Sequence, residues 1–300
     1  MARGFRFGLL YTGATLDEWR ETARKAEDLG FSTLVAQDHF GAQLAPLPCL
    51  VAAAAVTTRL RFGTVVLDND FRHPAVMAKE AATVDVLTGG RFELGLGAGW
   101  LATDYEKTGV SFDPAPARME RLAETVAICR AFFAGETVTF HGKHYQVEGL
   151  DAFPEPAQTR LPLLIGGRQR RMLSYAAREA DIVSISMLDP RTPDSPPPPG
   201  FAEKVGWVRA AAGSRFEVIE IHANCFSAEV TDKAAEALES IAKRIGATPE
   251  QALENPANLV GSVDSIVEQL ERWRERCGLG YICLQPGVMD AFAPIIARLA

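Results

Sequence analysis

The sequence lacks the features that mark membrane, secreted and disulfide-bonded proteins. No apolar run approaches the roughly 20 residues that cross a bilayer, and the amino-terminal apolar stretch is too short for a secretory signal peptide. The five cysteines form no CxxC pair and are odd in number, which argues against a disulfide framework. We therefore expect buried, reduced thiols in a cytoplasmic protein without a membrane partner.

Positive charge is also scarce, because 38 acidic residues outnumber 31 lysines and arginines and give a net charge of -7. A nucleic-acid-binding surface needs a basic face that replaces condensed counterions, so no nucleic-acid partner is expected. Any anionic ligand must be held by a local site, since the overall field of the protein repels it.

Motifs of metal and nucleophile chemistry are missing as well. The sequence shows no Walker-type phosphate loop and no Ser-His-Asp or Cys-His arrangement. His141 and His144 lie three residues apart, but Gly142 and Lys143 between them are typical of a solvated turn, and a metal needs further ligands. We expect no metal site.

What the chain does contain is a regular alternation of short apolar runs with longer amphipathic ones. The short runs predict eight strands, at residues 5–11, 32–36, 60–67, 92–97, 163–165, 181–186, 216–225 and 281–284. Apolar strands joined by helices indicate a parallel sheet that is covered by helices. Eight such units in 300 residues favour a closed (β/α)8 TIM barrel over an open doubly wound sheet. Strand order is invisible in the sequence, so the open sheet stays as the alternative.

Three segments depart from this repeat within what we interpret as one domain, residues 1–300. Residues 136–148 alternate around a His-Gly pair and predict a β-hairpin insertion. The proline-rich segment 189–200 cannot be regular structure, and a mobile lid and a plain surface loop are equally good interpretations. Residues 231–258 predict extra helix before the last barrel unit.

The second predicted strand is followed by Asp38 and His39. Active sites of barrels of this kind lie where the strands end. Histidine titrates near neutral pH and both gives and takes a proton, which suits a partner to hydride transfer. A neighbouring carboxylate would orient the ring or hold its charge. The alternative is a hydrogen-bonded histidine that only caps a loop.

The third predicted strand ends in Asp68, Asn69 and Asp70, shortly before His73 and Pro74. Acidic clusters bind metals in some proteins, but this one lacks the glycine and glutamate spacing of a calcium loop. We expect a turn-and-cap role for the acidic cluster and a capping or packing role for His73.

The fourth predicted strand ends with glycines at alternate positions, Gly95, Gly97 and Gly99. Missing side chains on one face let a flat ring approach the backbone closely. Tight packing at the mouth of the barrel is the alternative, and the pattern is not the dinucleotide-binding fingerprint.

A further glycine pair, Gly166-Gly167, directly precedes Arg168, where a helix is predicted to begin. Exposed backbone N–H groups at the start of a helix attract anions, and glycine permits their close approach. In an acidic protein this local positive charge predicts a phosphate site. An ordinary strand-to-helix turn with surface arginines is the alternative.

These segments resemble one family. The Asp38-His39 ending, the run HPAVMAKEAATVDVLTGGRFELGLGAGW and the run LPLLIGGRQRRMLSYAAREAD are similar to the luciferase-like flavin and deazaflavin oxidoreductases. The similarity covers nearly the whole chain and implies a (β/α)8 barrel with insertions. Members use FMN or the deazaflavin coenzyme F420. The Asp-His ending resembles the F420 branch, whereas FMN-dependent monooxygenases more often show a Glu-His-His ending, so F420 is the expected cofactor and FMN the alternative.

The resemblance implies a role for each matching position. His39 is the implied proton donor or acceptor, and the segment 66–68 matches a bulge, often with a cis peptide, behind the ring. The implied cofactor-binding residues are Asp38, Val66, Leu67, Asp68, Gly97, Ala98, Gly99, Gly166, Gly167 and Arg168. Some F420-dependent dehydrogenases have a glutamate where this chain has Trp100, which puts their sugar-phosphate substrate in doubt and suggests a more apolar or aromatic one.

The expected function is therefore hydride transfer between coenzyme F420 and a small organic substrate. Two alternatives remain open at this point: an FMN-dependent monooxygenase on the same barrel, and a non-catalytic cofactor-binding protein that has kept the fold. The resemblance also implies a homodimer.

Overall fold

The computed structural model describes residues 4–188 and 198–300. Its strands are β1 (Arg6–Leu10), β2 (Thr33–Ala36), β3 (Arg61–Thr64), β4 (Leu67–Asp68), β5 (Phe92–Gly97), β6 (Val138–His141), β7 (Gln146–Leu150), β8 (Leu163–Gly167), β9 (Ile182–Ile185), β10 (Glu220–Asn224), β11 (Ser227–Val230), β12 (Asn258–Gly261) and β13 (Leu279–Leu284).

Helices follow most of these strands. They are α1 (Leu16–Asp28), α2 (Pro46–Ala54), α3 (Pro74–Leu87), α4 (Ala102–Thr108), α5 (Ala115–Phe133), α6 (Arg170–Glu179), α7 (Phe201–Ala212), α8 (Ala234–Ile245), α9 (Pro249–Leu253), α10 (Val263–Cys277) and α11 (Met289–Leu299). Three short 3-10 turns cover Asn69–Phe71, Gly213–Glu217 and Pro286–Val288.

The chain divides into two compact units. The first unit contains the residues up to Tyr11, Lys25–Thr33 and Gly166–Ala300, and the second unit contains Thr12–Arg24 and Leu34–Ile165. Strands β2 and β8 have residues in both.

In the first unit, β1 pairs with β13, β13 with β10, and β10 with β9, all parallel. Burial of these strands is nearly complete, as their apolar sequences predict. Polar groups also lie in this core: His222 is fully buried, with Nδ1 2.8 Å from the buried Ser184 hydroxyl and Nε2 3.2 Å from the Cys283 sulfur. Burial lowers the pKa of His222 to about 3, so the imidazole stays neutral.

In the second unit, β5 forms parallel pairs with β3, β4 and β8. The single strand predicted at 60–67 is divided in the structure, because a cis peptide bond joins Val65 to Val66 between β3 and β4. Beside this break, the Thr64 hydroxyl donates to the Gly95 carbonyl and accepts from the Gly95 amide, both at 2.9 Å. The predicted strand 216–225 is also shorter, since residues 213–217 form a 3-10 turn.

The predicted hairpin insertion is confirmed as the antiparallel pair β6–β7. Lys143 in its turn is exposed, as expected, but the turn is also bonded to α5, because the amides of Lys143, His144 and Tyr145 donate to the Glu124 carboxylate at 2.8 to 3.2 Å. His144 Nε2 also lies 3.0 Å from Glu120. These bonds fasten the insertion to the helix.

The extra segment predicted at 231–258 contains α8 and α9, as expected. The parallel strand pair β11–β12, which flanks this segment, is a feature that the sequence did not indicate. Ile241, Ala242, Ala252 and Val260 form a small core of their own there. Most of the predicted proline-rich loop, residues 189–197, lies outside the described residues.

All five cysteines are free and buried, as the sequence predicts. Within residues 4–188 and 198–300, no helix combines the length and apolar character needed to cross a membrane.

Candidate active site

His39 follows β2 in the second unit, where the ring is held through one of its two nitrogens. Nδ1 lies 2.7 Å from Asp104 Oδ2, and the Asp104 side chain is 4% exposed against 25% for His39. The Phe40 amide donates to the other oxygen of Asp104 at 3.2 Å. Among the described residues, nothing accepts from or donates to Nε2 of His39. One nitrogen is therefore fixed by a buried carboxylate and the other is open for proton transfer.

Asp38, the neighbour of His39 in sequence, has a different partner. Its carboxylate accepts from both terminal nitrogens of Arg72, at 2.5 and 3.2 Å, and from the Asp68 amide at 3.2 Å. A two-pronged pair of this kind fixes geometry as well as charge. Asp38 thus ties the end of β2 to the end of β4, and its role in cofactor binding stays a prediction.

Helix α4 supplies the Asp104 carboxylate, and the sequence interpretation did not include this helix. It begins at Ala102, directly after the strand-end segment that contains Trp100, and it ends before Gly109, which has φ = +72°. A left-handed glycine after the last helical residue is a common stop signal. That glycine was the one local sign of the helix.

Asp68 lies at the end of β4, at the position where the resemblance implies a bulge. The cis peptide at Val65–Val66 agrees with that implication. Oδ1 of Asp68 accepts from the Tyr105 hydroxyl and from the Asp70 amide, both at 3.0 Å, which confirms the predicted turn-and-cap role.

The electrostatic state of Asp68 differs from that of the other strand-end carboxylates. Asp38 is paired with Arg72, and Asp70 is paired with Arg121 through two bonds of 2.7 and 2.8 Å. Within residues 4–188 and 198–300, Asp68 receives only neutral donors. Burial therefore raises the pKa of Asp68 to about 6, with the nearby charges of Asp70 and Asp38 adding to the effect.

The alternating glycines of β5 have a packing explanation. A Cβ on Gly97 would lie 2.6 Å from the Val66 side chain, and one on Gly99, where φ is +74°, would lie 1.9 Å from the Tyr105 hydroxyl. Val66 is half-buried and Leu67 is buried beside them. Tight packing, the alternative stated above, accounts for these glycines, and contact of Gly97, Ala98 and Gly99 with a ring stays a prediction.

Trp100 stands beside His39 at the end of this segment. The two ring centroids are 5.9 Å apart and the rings are nearly perpendicular, at 85°. Trp100 is 55% exposed, and Phe40, next to His39 in sequence, is 48% exposed. Phe40 in turn contacts Phe71 edge to face at 5.0 Å. The open nitrogen of His39 thus has aromatic neighbours.

The predicted phosphate site belongs to the first unit. Gly166 and Gly167 end β8, and α6 begins at Arg170, two residues later than predicted. The shift follows from Gln169, which keeps an extended backbone and is the residue before the helix. No side chain of the described residues caps the first turn of α6. Phosphate binding by Gly166, Gly167 and Arg168 stays a prediction.

Two solved structures share the fold over almost the full length of both chains. Coenzyme F420 dependent tetrahydromethanopterin reductase from Methanopyrus kandleri matches with a TM-score of 0.80 at 18% identity, covering 99% of this chain and 100% of that chain. Monooxygenase RslO1 from Streptomyces bottropensis matches with a TM-score of 0.78 at 22% identity, covering 98% and 99%. The predicted luciferase-like (β/α)8 barrel is confirmed, and the open-sheet alternative is wrong.

The sequence comparison identifies the family. The family model described as luciferase-like monooxygenase matches residues 2–275, so the chain belongs to that family. One curated relative, the F420-dependent glucose-6-phosphate dehydrogenase of Microbacterium testaceum (strain StLB037), is 36% identical over 174 residues, which cover 55% of this chain and 51% of the relative. The chain thus spans about half the length of the curated relatives it matches.

Proposed function

We propose that the protein is a coenzyme F420-dependent oxidoreductase that transfers hydride between the deazaflavin and a small organic substrate. The observation that carries this proposal is the His39 ring, held by buried Asp104 at 2.7 Å through Nδ1 and open at Nε2. The printed name of the curated relative supports the choice of F420.

The side chains around His39 fit a flat, neutral ring. Trp100 and Phe40 offer exposed aromatic surface, and Arg72 is already paired with Asp38. A flavin-type ring system is aromatic and uncharged over most of its area, so it matches apolar walls with a few directed hydrogen bonds. When bound, such a cofactor supplies hydride transfer at the carbon that a deazaflavin has in place of N5.

The chain's own contribution is to hold a proton at a defined atom. Oxidation of an alcohol releases a hydride and the hydroxyl proton, and Nε2 of His39 is the proposed acceptor of that proton. In the reverse direction the same nitrogen donates it. Asp104 keeps Nδ1 protonated and so presents Nε2 as the acting nitrogen. The Trp100 ring packs against the His39 ring with 5.9 Å between the centroids, and a bound cofactor and substrate would exclude water from the site and strengthen its polar interactions.

We also propose that the start of α6, in the first unit, binds a phosphate group. Among the described residues, no side chain caps the amides of its first turn, and Arg170 and Arg171 add positive charge. The helix dipole favours an anion at this end. Gly167 has a local reason to be glycine, since a Cβ there would lie 2.4 Å from the Met172 side chain.

A cofactor titration tests the proposal. Apo-protein is titrated separately with F420 and FMN, with tryptophan quenching and cofactor emission as signals. We expect saturable binding of F420 that is much tighter than that of FMN. Preference for FMN would instead support the FMN-dependent monooxygenase. The monooxygenase RslO1 has the same fold, so this alternative is included in the test. If neither cofactor binds, the protein shares only its fold with these enzymes, and the proposal is wrong.

A second test concerns Asp104 as a positioning residue. Asp104→Asn replaces a charged partner of His39 with a neutral amide. A hydrogen bond to a charged group contributes about 1.5–3 kcal/mol, so we expect kcat to fall roughly 10- to 100-fold, with F420 affinity unchanged. Asp104→Glu should restore part of the loss. A variant with equal losses in kcat and in F420 affinity would indicate a purely structural role, and thermal unfolding of each variant checks that the fold is intact.

A further inference from the structure

Two exposed aromatic side chains belong to the segments around His39: Trp100, whose ring lies 5.9 Å from the His39 ring, and Phe40, the next residue in the chain. Trp100 is 55% exposed and Phe40 is 48% exposed, although aromatic rings of this size are usually well covered. Phe40 follows β2 and Trp100 follows β5. The Trp100 ring lies edge to face with the His39 ring, and Phe40 is the neighbour of His39 in the chain. Exposed apolar groups that cluster at a functional site mark the surface that a ligand covers.

The arrangement of charge around these rings is unfavourable to an anion. Arg72 is paired with Asp38, and Arg121 is paired with both Asp70 and Asp113. Arg118 donates to the carbonyl groups of Ala98 and Gly99 and to that of Asp113. Arg72, Arg118 and Arg121, which contact the strand-end segments of the second unit in the part of the chain that the structure describes, are therefore each engaged by the protein itself.

Carboxylates outnumber cations in the same segments. Asp38, Asp68, Asp70 and Asp104 all lie there, and the whole chain carries a net charge of -7. A phosphorylated substrate would have to displace a guanidinium from a buried carboxylate, which costs free energy because it leaves that carboxylate unpaired. A neutral substrate meets no such cost.

We propose that the substrate is an uncharged alcohol or carbonyl compound with an aromatic or other apolar substituent, which lies against Trp100 and Phe40. This proposal rests on the proposed function and names the substrate class for the same site. Trp100 determines specificity: its ring face holds the apolar substituent and leaves the polar carbon–oxygen group directed to His39. A ring stacked edge to face or offset on Trp100 keeps the geometry that aromatic pairs prefer.

The test uses F420-loaded protein and three neutral or charged probes: benzyl alcohol, cyclohexanol and glucose 6-phosphate. Loading is first measured by cofactor fluorescence, so failure of the cofactor proposal is seen before any probe is added. Binding of each probe is then followed by calorimetry, in low and high salt, and repeated on cofactor-free protein. The variants are Trp100→Ala, Trp100→Phe and, as a matched exposed aromatic outside the site, Phe153→Ala, whose side chain is 75% exposed.

We expect saturable binding of benzyl alcohol and cyclohexanol that is insensitive to salt. Trp100→Ala should lower the affinity for benzyl alcohol roughly tenfold, which corresponds to about 1.4 kcal/mol. Trp100→Phe should retain most of the affinity. Phe153→Ala should bind benzyl alcohol as the parent does. Glucose 6-phosphate should not saturate.

Three results would overturn the proposal. They are tighter binding of glucose 6-phosphate that falls with salt, equal affinity of Trp100→Ala and parent for benzyl alcohol, and absence of saturation by both neutral probes on loaded protein. If F420 itself does not bind, the proposed function fails, and the neutral probes on cofactor-free protein still decide whether Trp100 forms an apolar binding surface.

Discussion

Replacement of His39 by alanine is expected to lower kcat by about 10²- to 10⁴-fold, the usual contribution of a positioned acid or base. The physical reason is that Nε2 is the atom proposed to hold the proton, and alanine removes it while leaving Asp104 buried. The affinity for F420 should change little, because the ring of His39 contributes a proton site and not the main binding surface. Steady-state kinetics with an F420 titration on the same preparation measure both quantities.

His141→Ala is the matched control for this experiment. Its imidazole is on the hairpin insertion, with 66% of the side chain exposed, and contacts Glu148 and Gln146. We expect parental kcat for this variant. A His39→Ala protein that turns over at the parental rate would remove His39 from the reaction, and a protein that binds F420 yet reduces no candidate substrate in either form would support the non-catalytic alternative.

Asp68→Asn is expected to stabilise the protein above pH 6 and to have little effect below pH 4. The folded-state pKa of Asp68 is raised from 3.8 to about 6, mainly by burial. Between these values the folded protein binds more protons at Asp68 than the unfolded chain does, so the free energy of unfolding falls as pH rises through this window. A shift of this size corresponds to roughly 2–3 kcal/mol.

Asparagine suits this test because its side-chain oxygen can still accept from Tyr105 and Asp70. The measurement is the difference in free energy of unfolding between parent and Asp68→Asn, from urea denaturation at several pH values between 4 and 8. Asp151→Asn, at an exposed loop position, is the control. A difference that stays flat with pH would show that Asp68 is ionised at little cost in the folded protein.

The sequence was sufficient to predict the elements that depend on local pattern. Apolar strands alternating with amphipathic helices gave the barrel, and the rule that barrel sites lie at strand ends singled out His39 and Asp68. His39 does follow β2, and Asp68 is the last residue of β4. The prediction of one continuous third strand was wrong. A cis peptide at Val65–Val66 divides that strand, and the apolar pattern of the sequence carries no signal for it.

The partner of His39 could not be predicted from the sequence, for a different reason. Asp104 is 65 positions away in the chain, and a pairing over that distance depends on tertiary structure that local periodicity does not encode. Its helix, α4, has only seven residues and no apolar stripe long enough to be recognised. The adjacent Asp38 was the nearer carboxylate in sequence, yet the structure pairs it with Arg72.

Helix α4 also couples the two ionisable groups that the predictions concern. Asp104 and Tyr105 are consecutive on it, and they hold His39 and Asp68 respectively. A helix of this length is not stable in isolation, so its docked state depends on these contacts. A single local opening of α4 would release the imidazole and the carboxyl together, and the backbone amides of α4 would then exchange as one cooperative unit. Any ligand that stabilises one of the two contacts therefore slows the opening of both.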